Sequence, residues 1–221
     1  SKYSDVLERS LYNGLISGVS LDGGGFFYPN PLESRGQHQR QPWFGCACCP
    51  SNICRFIPSL PGYVYAVKGR NLYVNLFLSN SSHLKVAGKT VALTQNTGYP
   101  YDGDIRINIY KNSAGKFTED GYFTIDRKWK KGDVVKVHFD MEARTVRANN
   151  NVEADRGMVE VERGPLVYCA EWPDNKFDIK TVILNQEPKF TLGTMALDNF
   201  IAADSKAKLH AYKEINMKTL T

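Results

Sequence analysis

After Pro61-Gly62 the chain breaks into short apolar segments separated by turn residues, and this rhythm restricts everything downstream to a mostly β fold. Tyr63-Val64-Tyr65-Ala66-Val67 and Leu72-Tyr73-Val74-Asn75-Leu76-Phe77-Leu78 flank Lys68-Gly69-Arg70-Asn71, which predicts a hairpin. Further strands are expected at 84–86, 90–94, 104–110, 121–126, 133–139, 143–148, 157–162 and 165–171. Ile105, Ile107 and Ile109 alternate with polar residues, as in a strand with one buried face. Many short strands with Gly and Asn turns suit a sandwich. Beyond residue 175 the pattern weakens, and no internal repeat is present.

The stretch before residue 62 reads differently. Tyr3, Leu7, Leu11 and Leu15 recur every fourth residue, which predicts a helix over 3–17 that stops near Gly18. Asp22-Gly23-Gly24-Gly25 is a turn, and Phe26-Phe27-Tyr28 a short strand ended by Pro29 and Pro31. Residues 33–42 are polar and form a loop. Pro50 suits the first position of a helix over 50–57, which Pro58 would end and Pro61-Gly62 would leave. The fold class is therefore mainly β with a helical N-terminal portion, divided near residue 62.

Charge excludes some functions. The 28 basic and 23 acidic residues leave a net +5 that is spread along the chain. The densest basic run, Arg127-Lys128-Trp129-Lys130-Lys131, leads into Gly132-Asp133 and reads as a solvated strand end rather than a nucleic-acid face. No apolar run reaches the roughly 18 residues of a membrane span. The chain begins inside the first helical pattern, so localisation cannot be read from this end. Cytoplasmic, periplasmic and secreted locations all stay open.

The chemistry lies in the cysteines. Four of the five, Cys46, Cys48, Cys49 and Cys54, fall within nine residues, and Cys169 stands alone. A disulfide framework spreads its cysteines, and adjacent Cys48 and Cys49 could bridge each other only with strain. Reduced thiols that bind a metal or attack an electrophile fit better. With Pro50 as the first helical residue, Cys49 is the N-cap and Cys48 sits just before it. The unpaired N–H groups and the helix dipole then favour thiolates there, and Arg55 would add positive charge. Cysteine is also often simply buried. That reading suits Cys54 and Cys169, but not three thiols in four positions at a helix start. No second Cys-x-x-Cys pair is present to close a structural zinc site within the chain.

Five segments together carry a resemblance: Leu11-Tyr12-Asn13-Gly14, Leu21-Asp22-Gly23, Phe26-Phe27-Tyr28-Pro29-Asn30-Pro31-Leu32-Glu33, Trp43-Phe44-Gly45-Cys46-Ala47-Cys48-Cys49-Pro50-Ser51-Asn52, and Arg163-Gly164-Pro165-Leu166-Val167-Tyr168. In order and content the chain resembles glycoside hydrolase family 127, which includes β-L-arabinofuranosidases. The resemblance implies that residues 1–61 are the end of an (α/α)6 barrel and that residues 62–221 hold an incomplete β-sandwich. It implies a retaining hydrolase with a cysteine nucleophile in a zinc site of three cysteines and a glutamate. Cys48 is then the nucleophile and, with Cys49, a zinc ligand. The acid/base glutamate and a Glu-x-Cys pair completing the zinc site are expected upstream of Ser1, so this chain alone would not turn over glycosides. The family's Pro-Gly-Trp turn is missing between Tyr110 and Phe117, and its closing segment is missing after Thr221.

Other residues are weighed for sugar contact. Tyr28 lines the pocket by resemblance, held rigid by Pro29-Asn30-Pro31, or is a core tyrosine beside Phe26 and Phe27. Glu8 faces the pocket by resemblance, or is a solvated helix carboxylate near Arg9. Glu33 stands on the loop that leads to the cysteines. His38 reads as an exposed loop residue, and His83, His138 and His210 carry no signal. The expected partner is a carbohydrate, such as a plant-type arabinose-containing glycan, and a homodimer is allowed. Two competing readings are a non-catalytic carbohydrate-binding or scaffold sandwich and a zinc-dependent interaction module.

Overall fold

The computed structural model describes residues 2–20, 22–29, 33–34, 37–46, 48–110, 116–117, 122–170, 175, 177–195, 198–203 and 207–210. Parts of the Asn-Pro-Leu-Glu segment, the 111–115 join and the start of the strand expected at 121–126 lie outside the described residues. The chain is mostly β-sheet with a short helical N-terminal part. It divides into two compact units, one of residues 1–8 and 53–141, the other of residues 9–52 and 142–221. Among the described residues no helix is long and apolar enough to cross a membrane.

The helical part begins with α1 (Lys2–Ser10), which runs on through a π turn (Leu11–Leu15) and a 3-10 turn (Ile16–Gly18). The helix expected at 50–57 is longer: α2 spans Cys48–Ser59. Pro50 is thus its third residue, still in the first turn, where N–H groups have no intrahelical partner. Pro58 lies inside α2 rather than ending it. It sits one residue from the end, and beyond it the Leu60 amide donates to Phe56 O at 3.1 Å, keeping the turn going. Pro61-Gly62 is not an exit either, because a short helix α3 (Pro61–Val64) forms with Pro61 at its start.

In the first unit, β1 (Tyr65–Lys68) and β2 (Asn71–Val74) form the expected hairpin, with Tyr65 opposite Val74. Both strands are shorter than the apolar runs that announce them. An antiparallel four-stranded sheet follows, built from β3 (Asn80–Val86), β4 (Lys89–Thr97), β5 (Asp104–Tyr110) and β8 (Lys130–His138) in that order. Between β5 and β8, two-residue strands β6 (Lys116–Phe117) and β7 (Phe123–Thr124) pair with each other. Register aligns the apolar face: Leu84 lies opposite Val91, Ile105 opposite Val137 and Ile107 opposite Val135. Those residues join Val64, Tyr65, Leu76 and Leu93 in one core, against which Leu7 of α1 and Leu60 pack. Gln95 is buried in this face, and its amide donates to Tyr65 Oη at 2.8 Å and Leu76 O at 3.3 Å.

The second unit holds a six-stranded antiparallel sheet of β9 (Ala143–Val146), β10 (Glu160–Arg163), β11 (Leu166–Ala170), β12 (Phe190–Met195), β13 (Asp198–Ala203) and β14 (Ala207–His210), in the order β12-β13-β14-β11-β10-β9. Val161, Leu166 and Tyr168 form its core, with Tyr12, Leu184 and Phe190 packed against them. Alternation along β11 puts Leu166 and Tyr168 inward, so Cys169 faces out. Cys54 is exposed as well. Neither is the buried cysteine expected from sequence.

One side chain joins two of the quoted sequence segments. Asn13 Nδ2 donates to Pro165 O at 2.8 Å and to Arg9 O at 2.8 Å, while its Oδ1 accepts from the Val167 amide at 2.8 Å. The Gly164 turn, at φ +57°, presents those backbone groups. Beside it Arg9 and Arg144 both pair with Glu162, which is buried. Two guanidinium groups supply the compensation that a buried carboxylate needs.

Candidate active site around Cys48

The site rests on a small backbone frame in the second unit. Phe26 forms isolated bridges with Val19 and Gln41 rather than a continuous strand. Its amide donates to Gln41 O at 3.0 Å, and the Gln41 amide donates back to Phe26 O at 2.9 Å. The Asp22-Gly23-Gly24-Gly25 turn is held by Asp22, whose Oδ1 accepts from Ser20 Oγ at 2.6 Å and from the Gly24 amide at 2.8 Å. Arg40 lies over the Phe27 ring at 4.4 Å and donates to Ser17 O at 2.8 Å.

Aromatic rings carry this frame to the cysteines. The Phe44 ring meets buried Phe26 edge-on at 5.2 Å and Tyr28 at 5.6 Å. Tyr28 then reaches both adjacent thiols. Its hydroxyl lies 3.8 Å from Cys48 Sγ and its carbonyl 3.6 Å from Cys49 Sγ. The two sulfurs are 3.8 Å apart. Cys48 is the first residue of α2, and its carbonyl accepts from Ser51 Oγ at 2.8 Å.

These contacts split the two thiols. The Tyr28 hydroxyl, more than any other group, holds the Cys48 thiol below its usual range, with help from Cys49 and a smaller part from the Cys48 amide. The open helix start expected from sequence enters here through the Cys48 amide. Cys49 moves the other way: burial pushes it up, and neighbouring Cys48 adds to this. Tyr28 is pushed up to about 12, first by Cys48 and then by Cys46. A phenol that keeps its proton there can donate to a Cys48 thiolate.

Glu8 and Glu33 do not join this cluster through any hydrogen bond or ion pair among the described residues. Glu8 belongs to the other compact unit, where it is half-buried and accepts from Tyr99 Oη at 2.9 Å. Burial raises its pKa to about 7, so it is not the solvated helix carboxylate weighed from sequence. Glu33 pairs with Lys180 at 2.6 Å on an exposed face, a contact worth at most about 1 kcal/mol.

Zinc was implied by resemblance, and the donor chemistry bears on it. Zn–S bonds of about 2.3 Å at a tetrahedral angle put two sulfurs about 3.8 Å apart. The Cys48–Cys49 separation of 3.8 Å fits that edge. Among the described residues no group of three or more His, Cys, Asp or Glu side chains is placed to hold an ion. The pair therefore fits half of a tetrahedral thiolate site.

Sequence reading missed Phe44, Asn13 and Tyr99. A ring directly before Gly45 and the cysteines was the available signal for Phe44. For Asn13 it was a poor helix former in the middle of a helical run. Nothing local announces Tyr99.

Comparison with known proteins identifies the family. Three family models match in succession: the catalytic domain of glycoside hydrolase family 127 β-L-arabinofuranosidases over residues 1–62, the middle domain over 71–118 and the C-terminal domain over 143–214. The chain belongs to glycoside hydrolase family 127. A non-reducing end β-L-arabinofuranosidase of Bifidobacterium longum subsp. longum is 34% identical over 80% of this chain and 33% of its own length. A solved family 127 β-arabinofuranosidase is 48% identical with a TM-score of 0.85, covering 96% of this chain and 43% of that one. The family 127 β-L-arabinofuranosidase of Geobacillus stearothermophilus T6 is 30% identical with a TM-score of 0.86, covering 96% and 44%. The chain thus spans about a third of the curated relative and less than half of the two solved structures.

Proposed function

We propose that this chain carries the nucleophile-bearing part of a retaining glycosidase acting on terminal β-L-arabinofuranosides, with Cys48 as the attacking group. Residues 1–61 would be the end of an (α/α)6 barrel and the following residues a β-sandwich. The observation that carries the reading is the Tyr28 hydroxyl 3.8 Å from Cys48 Sγ, beside a second thiol at 3.8 Å. A phenol there steadies the sulfur as an anion, and the anion is the nucleophilic form. Family membership and the β-L-arabinofuranosidase relatives support the substrate class.

The chemistry would run in two displacements. Cys48 Sγ attacks the anomeric carbon as the bond to the leaving oxygen breaks, and a general acid gives that oxygen its proton. Water then attacks the same carbon and the Cys48 thiolate departs. The conjugate base of the acid takes the water's proton, and two inversions give net retention. Among the described residues no carboxylate is grouped with Cys48 and Cys49, and the proposal takes the acid from outside this cluster. Cys48 and Cys49 would hold zinc, which keeps bound thiols deprotonated. Tyr28 orients Cys48 and offers an aromatic face to the sugar, with Glu33 as a further proposed sugar contact.

The test is labelling with a haloacetyl β-L-arabinofuranosylamine. Selective alkylation of Cys48, slowed by free L-arabinose, supports the proposal. Labelling at equal rates at exposed Cys46, Cys48, Cys54 and Cys169 contradicts it.

A further inference from the structure

We infer that Phe44 is a positioning residue for the nucleophile, acting through Tyr28; the inference rests on the assignment of Cys48 above. Tyr28 stands 43% exposed, so burial alone does not fix its ring. Of Pro29-Asn30-Pro31, which sequence reading credited with holding it, residues 30 and 31 lie outside the described residues. Phe44 supplies the hold. Its ring touches the Tyr28 ring at 5.6 Å with the planes tilted by 57°, and its other side meets Phe26 edge-on at 5.2 Å. Phe26 cannot give way, because it is 6% exposed and its backbone is bonded in both directions to Gln41. The result is a stack from a fixed backbone through two rings to the phenol.

That stack decides where the hydroxyl points. Tyr28 also accepts the Cys49 thiol on its own carbonyl, so its main chain is tied to the start of α2. With Phe44 in place the ring is limited to the arc that meets Cys48 Sγ. A tilted aromatic pair of this kind favours the rotamer that keeps the two rings in contact. The Phe44 ring packs on Phe26 and Tyr28, and its effect on Cys48 passes through Tyr28.

The test is nuclear magnetic resonance on the whole chain with labelled tyrosine and cysteine, in chelator. The unaltered protein is expected to show cross-peaks from the Tyr28 ring to the Phe44 ring and to the Cys48 β-protons. In Phe44→Leu the Tyr28–Cys48 cross-peak is lost while the Phe26 and Gln41 amide shifts persist; Phe44→Tyr, which keeps a ring, retains it. A cross-peak that survives in Phe44→Leu overturns the inference even if the variant is less stable, since that is the outcome of a merely structural role. Should Phe44→Leu not fold, Phe44→Met is read in the same way. Absence of the Tyr28–Phe44 cross-peak in the unaltered protein overturns it without any variant. None of these readings depends on sugar chemistry. Failure of sugar labelling at Cys48 with the cross-peaks intact would instead remove the nucleophile assignment.

Discussion

Replacing Asn13 should loosen the second unit at the β10–β11 turn. In Asn13→Ala, Pro165 O and the Val167 amide both lose a 2.8 Å partner in a partly buried setting. Arg9 O also loses one, but that contact is exposed and water can replace it. Each stranded buried group costs about 1–3 kcal/mol, and partial hydration lowers the figure. Alanine is the better helix former by roughly half a kcal/mol, which offsets part of the loss. The expected net effect is about 2–3 kcal/mol, read by urea unfolding followed by circular dichroism. Hydrogen exchange at the Val167 amide should speed by roughly 30-fold or more, since about 1.4 kcal/mol is tenfold. Asn13→Asp adds a pH test. A carboxylate facing Pro165 O is repelled, whereas the neutral acid can donate to it, so the folded-state pKa rises. The variant's stability is then greatest below about pH 3.9 and is lost as pH rises through the raised pKa. A change under about 0.5 kcal/mol in Asn13→Ala, with Val167 exchange unaltered, would refute the clasp.

Two further outcomes are expected. Glu8 is raised from 4.5 to about 7 by burial, so the stability it contributes is full below pH 4.5 and lost as pH climbs through 7, by about 3 kcal/mol in all. Glu8→Gln keeps an acceptor for Tyr99 and should flatten that loss; unfolding midpoints that track the unaltered protein from pH 4 to 8 would reject the burial argument. Tyr28→Phe removes the hydroxyl that most lowers Cys48, so in chelator the pH profile of Cys48 alkylation by iodoacetamide should move upward. An unmoved profile, read against Cys54 in the same molecule, would show that the phenol does not act on the sulfur.

The β-strands were legible because their signal is local. Ile105 and Ile107 alternate with polar neighbours, and both turn inward in β5. The hairpin followed from the Lys68-Gly69-Arg70-Asn71 turn between two apolar runs, and its register has Lys68 opposite Asn71. Helix ends were less legible. Proline was read as a boundary at 50 and 58, yet a helix tolerates it in its first turn, and past Pro58, which gives up its own amide bond, Leu60 still continues the turn to Phe56. The cysteine cluster was visible as a motif, but its electrostatics were not. Helix-end reasoning treats neighbouring thiols alike, whereas Tyr28, twenty residues away, lowers Cys48 and burial raises Cys49. The partners of Glu8 and Glu33 were also out of reach, because Tyr99 and Lys180 meet them only through tertiary folding.

The assignment of Cys48 is tested most directly with a dinitrophenyl β-L-arabinofuranoside. Its leaving group departs without a proton, so a competent thiolate can be glycosylated with no general acid in reach. Peptide mass spectrometry should then find one pentosyl group on Cys48, and none in Cys48→Ser. A chain that stays unmodified, or that carries the sugar on Cys46, Cys49 or Cys54 instead, contradicts the account.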